Sequence, residues 1–213
     1  PIILAVVLSG CSQLKTLPMV NAENPYEINN SNQVKSIALN KVVSEIRREA
    51  KIGNLHIGAG CEGTYELNWK TGELLYYDFN GLDEIFRDEL EASGWTVVGK
   101  EGNLFEGQDN NGAEIQVAAV ITDIKAELCS WRTMFTTLLG VKGDLVIYVE
   151  WQIYDPIKKE ILGKFESEGS ARVESFKQRG ELILWEDAFA VATNNLLANI
   201  NFVRLVKKSI NHE

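Results

Sequence analysis

The sequence is short of histidine, cysteine, methionine and proline: two, three, two and four of them among 213 residues. His56 and His212 are the only imidazoles. They leave little material for acid–base chemistry, and no zinc-ligand spacing occurs. No apolar stretch approaches the ~20 residues a membrane-spanning helix needs, which excludes a protein of several such helices. Basic residues are the minority, 21 Lys and Arg against 30 Asp and Glu, for a net charge of −9. That balance repels phosphate backbones, so no nucleic-acid partner is expected. Hydrolase signatures are missing as well, with neither a Gly-x-Ser-x-Gly elbow nor a Gly-Asp-Ser-Gly segment. What is there is a globular mixture, 45% hydrophobic and 24% charged. A chain of this length can bury roughly 70% of its unfolded surface, enough for a real core.

The N-terminus carries the strongest signal. Pro1 opens the chain with no initiator Met and no basic residue before Ile2–Leu8, an apolar run of seven. The run fits the tail of a signal-peptide h-region, and residues 1–10 are expected to be a signal-peptide remnant. Leu8-Ser9-Gly10-Cys11 then resembles the bacterial lipobox. Small residues at 9 and 10 admit a peptidase, and the Cys11 thiol is the nucleophile for a diacylglycerol thioether. Diacylglycerol and palmitate chains anchor a protein stably, since each buried methylene contributes about 0.8 kcal/mol. The competing reading is a buried N-terminal strand with an incidental Cys. Ser12, where an Asp would favour inner-membrane retention, points to the periplasmic face of the outer membrane. Residues 11–33 are rich in Asn, Ser and Pro and lack a sustained period, so they read as the lipidated N-terminus and a flexible tether. Residues 34–213 are expected to form a single α+β periplasmic domain.

Within that domain, Ser36 to Glu49 leans to a strand with a bulge over a short amphipathic helix. Glu66–Trp69 and Glu73–Tyr77 flank a Gly-containing turn and read as a hairpin. Phe79 to Ser93 is expected to be a helix, capped by Asn80 or Asp83 and stopped by Gly94. Trp95–Val98 is a short strand, and 99–112 a polar loop. Three long strands follow. In the first, Ile115, Val117, Ala119 and Ile121 share a face, then the phase slips at Thr122-Asp123 to Ile124, Ala126 and Leu128, as across a β-bulge. The second alternates through Leu145, Ile147, Val149, Trp151 and Ile153 and ends in an Asp155-Pro156 turn. The third alternates small and apolar residues from Ile161 to Val173 against charged ones. A single long helix is expected over about 180–208, with Leu182, Trp185, Phe189, Ala192, Leu196, Ile200 and Val203 on one stripe. The sum is a two-layer α+β fold, a mostly antiparallel sheet with two helices packed on one face.

Few residues offer chemistry. After Cys11, the thiols left are Cys61 and Cys129. In an oxidising compartment a structural disulfide is the leading expectation, with unpaired thiols and a redox site as alternatives. A Cys61–His56 nucleophile pair is conceivable but lacks an orienting group. His56 itself reads as a loop or strand-end residue. Asp109–Glu114 fails the calcium-loop pattern, because Val120 stands at its twelfth position. Gly58–Gly63 fits Gly-x-Gly-x-x-Gly only formally, since no helix opens behind it and Glu62 repels phosphate. Glu166, Glu168 and Glu174 share a strand face with Lys164 and Arg172 and read as solvated. No cofactor or metal is expected. Trp131, Met134, Phe135, Leu138 and Leu139 either form an exposed patch for a partner or fold over the sheet end.

Several stretches, from 36 to 203, resemble a domain found upstream of trypsin-like serine protease domains in Gram-negative envelope proteins. They are Lys51-Ile-Gly53, Cys61 with Leu67-Asn-Trp69, Phe86-Arg-Asp-Glu-Leu90, Gly94-Trp-Thr-Val-Val-Gly99, Asn103-Leu-Phe105, Ile121-Thr-Asp123, Leu128-Cys129, Lys142-Gly143 and Val149-Glu-Trp-Gln152. The chain is more loosely similar to outer-membrane lipoproteins of the YajG and LPS-assembly type. The resemblance implies an envelope location and a Cys61–Cys129 pair. It implies no activity, because no protease domain follows in these residues and no triad maps. The leading expectation is a non-catalytic, lipid-anchored module that docks an envelope protein. The alternatives are a lipid or glycan carrier with a helix–sheet cavity, and a thiol enzyme.

Overall fold

The computed structural model describes residues 14–28, 34–70, 79, 81–98, 112–132 and 138–208. Six strands and three helices follow in the order β1 (Ile37–Ser44), β2 (Lys51–Ile57), β3 (Gly63–Asn68), α1 (Leu82–Ala92), β4 (Ile115–Arg132), β5 (Leu138–Asp155), β6 (Glu160–Lys177), α2 (Gly180–Ala198) and α3 (Ile200–Val206). The sheet runs β3-β2-β4-β5-β6, and β1 also pairs with β4. It is an α+β fold on an open, mostly antiparallel sheet. The exceptions lie along β4, whose first half pairs with β1 in parallel and whose second half pairs with β2 in parallel.

The three long strands run 18 residues each, on alternation that is interrupted by bulges. Ile115, Val117, Ala119 and Ile121 are buried on one face, then Ile124, Ala126 and Leu128 take over. The register shifts between Ile121 and Asp123, so Thr122 is the extra residue. The bulge keeps Ile124, Ala126 and Leu128 on the same helix-facing side as Ile115, Val117, Ala119 and Ile121. Asp155 closes the β5–β6 turn, where its Oδ1 accepts from the backbone N–H of Ile157 (2.9 Å) and Lys158 (3.0 Å).

The helices settle on this face because β6 is small where α2 crosses it. A Cβ on Gly169 would lie 1.9 Å from the Ala188 carbonyl oxygen. Ser167 Oγ, beside it, donates to the Ala192 carbonyl (2.8 Å) and accepts from Trp151 Nε1 (2.7 Å). Trp69, Trp151, Trp185, Phe86 and Phe189 fill the layer between sheet and helices. α1 begins at Gly81, in the left-handed region, rather than on a side-chain cap from Asp83. Asn80 lies outside the described residues. Gly94 ends α1 as expected: its N–H reaches the Glu91 carbonyl and the Trp95 N–H reaches that of Leu90.

Three expectations need correction. The single helix over 180–208 is two, because Asn199 turns to an extended conformation and its Oδ1 caps α3 through the N–H groups of Asn201 (3.0 Å) and Phe202 (3.4 Å). The break rotates the stripe, so Ile200 is 46% exposed while Phe202, Val203 and Val206 are buried. His56 is a strand-end residue, one of the two places expected for it: β2 and β3 form a hairpin about the Gly58–Glu62 turn, and His56 is the last but one of β2. The expected hairpin segment Glu73–Tyr77 lies outside the described residues. Trp95–Val98 makes a single bridge, Ile37 to Val97, and no strand.

Finally, part of the expected tether is docked. Leu17 N–H donates to Asp144 Oδ2 (2.8 Å), and Val20 N–H donates to Ser170 Oγ (2.7 Å). Glu23 N–H reaches Asn195 Oδ1 (2.7 Å), Tyr26 N–H the Leu197 carbonyl (3.2 Å) and Ile28 N–H the Ser93 carbonyl (3.0 Å). Residues 14–28 thus strap the domain from the outer sheet face, past β6 and α2, to the end of α1. They lack an apolar period, and fixed partners on the folded domain satisfy their backbone instead.

Candidate functional site

The functional candidates gather on the face of the sheet away from the helices. Alternation along β4 puts Lys125, Glu127, Cys129 and Trp131 on that side, opposite Ile124, Ala126 and Leu128. Cys129 is bonded to Cys61 of the β2–β3 turn, with Cα atoms 5.7 Å apart and a separation of 68 in sequence. Cys61 is left-handed at φ 60°. The bond ties the hairpin to the centre of the sheet and occupies the thiol that a Cys61–His56 nucleophile would need.

Beside the disulfide, Glu127 is buried and paired. Asn54 Nδ2 donates to its Oε1 (2.6 Å), and His56 Nε2 lies 3.4 Å from its Oε2. His56 Nδ1 is 3.0 Å from Thr64 Oγ1. With the proton on Nε2, the imidazole donates to Glu127 and accepts from the Thr64 hydroxyl. This acid–imidazole–hydroxyl order is that of a proton relay, yet neither described pocket is lined by His56 or Thr64. A relay acts only on a substrate held against its hydroxyl. The cluster pins β2, β3 and β4 together.

One strand further, Arg172 of β6 pairs with Asp144 of β5 through both carboxylate oxygens, at 2.7 and 2.8 Å. The Asp144 hydrogen bond and charge raise the guanidinium pKa further above its ordinary value. Arg172 also donates to the Leu17 carbonyl (3.2 Å), so this fork holds the start of the strap. A groove of about 240 Å³ opens here, lined by Leu14, Lys15, Glu127, Lys142, Arg172 and Glu174 among others. Lys142 Nζ lies 4.7 Å from the Phe176 ring centroid, and Phe176 packs on Trp131 at 5.7 Å. A second pocket, about 550 Å³, lies by β6 and is lined by Val20, Tyr148, Glu166, Glu168, Asn195 and Asn199 among others.

Of the residues singled out in the sequence, Cys11, Met134 and Phe135 lie outside the described residues. Leu138 and Leu139 open β5, and nothing is described of their side chains. Trp131 is the last but one residue of β4, packs on Phe176 and is 39% exposed. Glu166, Glu168 and Glu174 are exposed on β6. Glu114 accepts from Ser36 N–H (3.0 Å) and pairs with Lys208 (3.1 Å), bonds that hold its carboxyl below the ordinary range. Among the described residues no group of three or more His, Cys, Asp or Glu could hold a metal, and no helix is long and apolar enough to cross a membrane. Sequence reasoning missed Glu127, Lys142, Asp144 and Phe176. Each occupies an ordinary outward position in an alternating strand, and only strand register brings them together.

No family model matches the chain, and no curated protein matches it. Among solved structures it is similar to a Xanthomonas campestris protein of the DUF330 family, at 9% identity and TM-score 0.41 over 87% of this chain and 95% of that one. It is similar to a minor lipoprotein from Acinetobacter baumannii, at 11% identity and TM-score 0.35 over 79% and 98%. A third is the PelC dodecamer from Paraburkholderia phytofirmans, at 9% identity and TM-score 0.35 over 88% and 98%. Likenesses this distant fix neither ligand nor partner.

Proposed function

We propose that the protein is a lipid-anchored module of the Gram-negative envelope, held through Cys11 at the periplasmic face of the outer membrane, that docks another envelope protein and carries out no chemistry itself. The observation that carries this reading is Leu8-Ser9-Gly10-Cys11 directly behind an apolar run. The disulfide supports it, since such bonds persist in oxidising compartments. The packed rings between helices and sheet stand where a carrier's cavity would lie, which favours docking over carriage. The test is crosslinking in intact cells followed by purification through a C-terminal tag, for the native chain and for Cys11→Ser. One stoichiometric envelope protein is expected with the native chain, and Cys11→Ser should leave the membrane fraction. Retained lipid or glycan without a protein would favour the carrier, and membrane association unchanged by Cys11→Ser would remove the anchor.

A further inference from the structure

We propose that the end of the sheet bearing Trp131, Phe176 and Lys142 lies against the phospholipid membrane, with Trp131 at the headgroup boundary and Lys15 and Lys142 against anionic headgroups. The inference rests on the lipid anchor proposed above. Leu14 is three residues from Cys11. Covalent geometry limits that span to roughly 10 Å. The strap, meanwhile, is fastened from Leu17 onward by the Asp144–Arg172 fork. A membrane that holds the acyl chains of Cys11 therefore reaches the domain at the groove where Leu14 and Lys15 meet Lys142. Lys142 lies over the Phe176 ring, and Phe176 packs in turn on Trp131.

The chemistry of that end suits a membrane boundary. Trp131 is 39% exposed, whereas Trp69, Trp95, Trp151 and Trp185 are all at most 3% exposed. An exposed indole with a polar edge and an apolar body prefers the headgroup region. Lys15 and Lys142 carry positive charge there, and two of the nearby acids are already engaged, Asp144 by Arg172 and Glu127 by Asn54 and His56. Glu174 is the exposed acid of the groove. The whole chain has a net charge of −9. The groove itself is balanced, Lys15, Lys142 and Arg172 against Glu127, Asp144 and Glu174, so an anionic bilayer that the chain as a whole repels meets no net repulsion at this end.

The exposure pattern also supplies the test. Full-length protein carrying its lipid is placed in phosphatidylethanolamine–phosphatidylglycerol vesicles whose acyl chains are brominated near the headgroup. Mass spectrometry reads the state of Cys11, and tryptophan fluorescence reads depth. Quenching should fall almost wholly on Trp131, so Trp131→Phe should lose most of it, and Lys15→Glu with Lys142→Glu should lower it at least twofold. If Cys11 is acylated, the vesicles carry the protein and both chains are quenched equally, the proposal is overturned while the anchor stands. If Cys11 carries no acyl group, proposal and anchor fall together. Circular dichroism of each variant confirms that it is folded.

Discussion

Gly169 and Ser170 are neighbours in β6, and they face two different kinds of surface. Gly169 meets the backbone of α2, where no side chain fits. Ser170 points the other way, and its hydroxyl accepts from the Val20 N–H and donates to the Val20 carbonyl (3.1 Å). The helix-facing side of the sheet is held by apolar burial and close approach. The outer side is held by a disulfide, paired charges and a strap bound through hydrogen bonds. Burial is non-directional and scales with area, so the first side needs only the right residues in the right period. The second needs particular atoms at particular distances.

The disulfide is the sharpest way to break this contrast. If the packed side alone held the protein, removing Cys61–Cys129 would matter little. The bond closes a loop of 68 residues. The chain-entropy account of such a loop gives about 4 kcal/mol. Cys61→Ala with Cys129→Ala should therefore lower the unfolding free energy by about that amount in urea titration. A loss under about 1 kcal/mol would mean that the hairpin is already fixed by the Glu127 cluster.

The adjacent pair gives the next test. Gly169→Ala places a methyl against the Ala188 carbonyl and against Ala192 at 2.6 to 2.9 Å, so α2 must shift. The cost should be about 3 kcal/mol, at the upper end of overpacking effects. Ser170→Ala removes two hydrogen bonds at the strap and should cost about 1 kcal/mol. Hydrogen exchange should then speed at Val20 and leave the Trp151 amide protected. Equal costs at the two positions would erase the distinction between the faces.

The contrast also explains what the sequence disclosed. The alternation of β4, β5 and β6, and even the slip at Thr122, are periodic signals of the packed side, and a period is visible in one strand alone. The Asn199 break was hidden because a stripe of apolar residues runs across it. What ends α2 is one side chain capping the next helix, a local competition that hydrophobic spacing does not register. β2 was hidden by Gly53, whose register shift disturbs the alternation; its missing Cβ admits the Ala126 carbonyl of the parallel neighbour. On the outer face nothing is periodic beyond polarity. Glu127 and Asp144 look like any outward carboxylates until register sets them beside His56 and Arg172. The strap's composition offers little to bury and so predicts a tether, yet partners on the folded domain hold it. Cys61 and Cys129 were legible as a pair, since few thiols remained to choose from.

The smallest expected effect tests the outer face by pH. Glu150 accepts from Lys164 Nζ (2.8 Å) and from Gln152 Nε2 (2.8 Å). Those hydrogen bonds, that of Lys164 foremost, hold its carboxyl below the ordinary range. A folded value below the unfolded one means that the contribution is complete above the unfolded value, about 4.3. It is lost as pH falls through the folded value, because the unfolded chain then binds the proton more readily. The pair is partly solvated, so its worth is about 0.2–1 kcal/mol. Glu150→Gln should therefore be less stable than the native chain by that margin near neutrality, and the gap should close below about pH 4. Gly169→Ala carries no titrating group, and its deficit should persist through the same acid range. A Glu150→Gln gap that stays constant with pH would show that the carboxylate contributes by shape alone, and the outer face would then differ from the inner one less in kind than in degree.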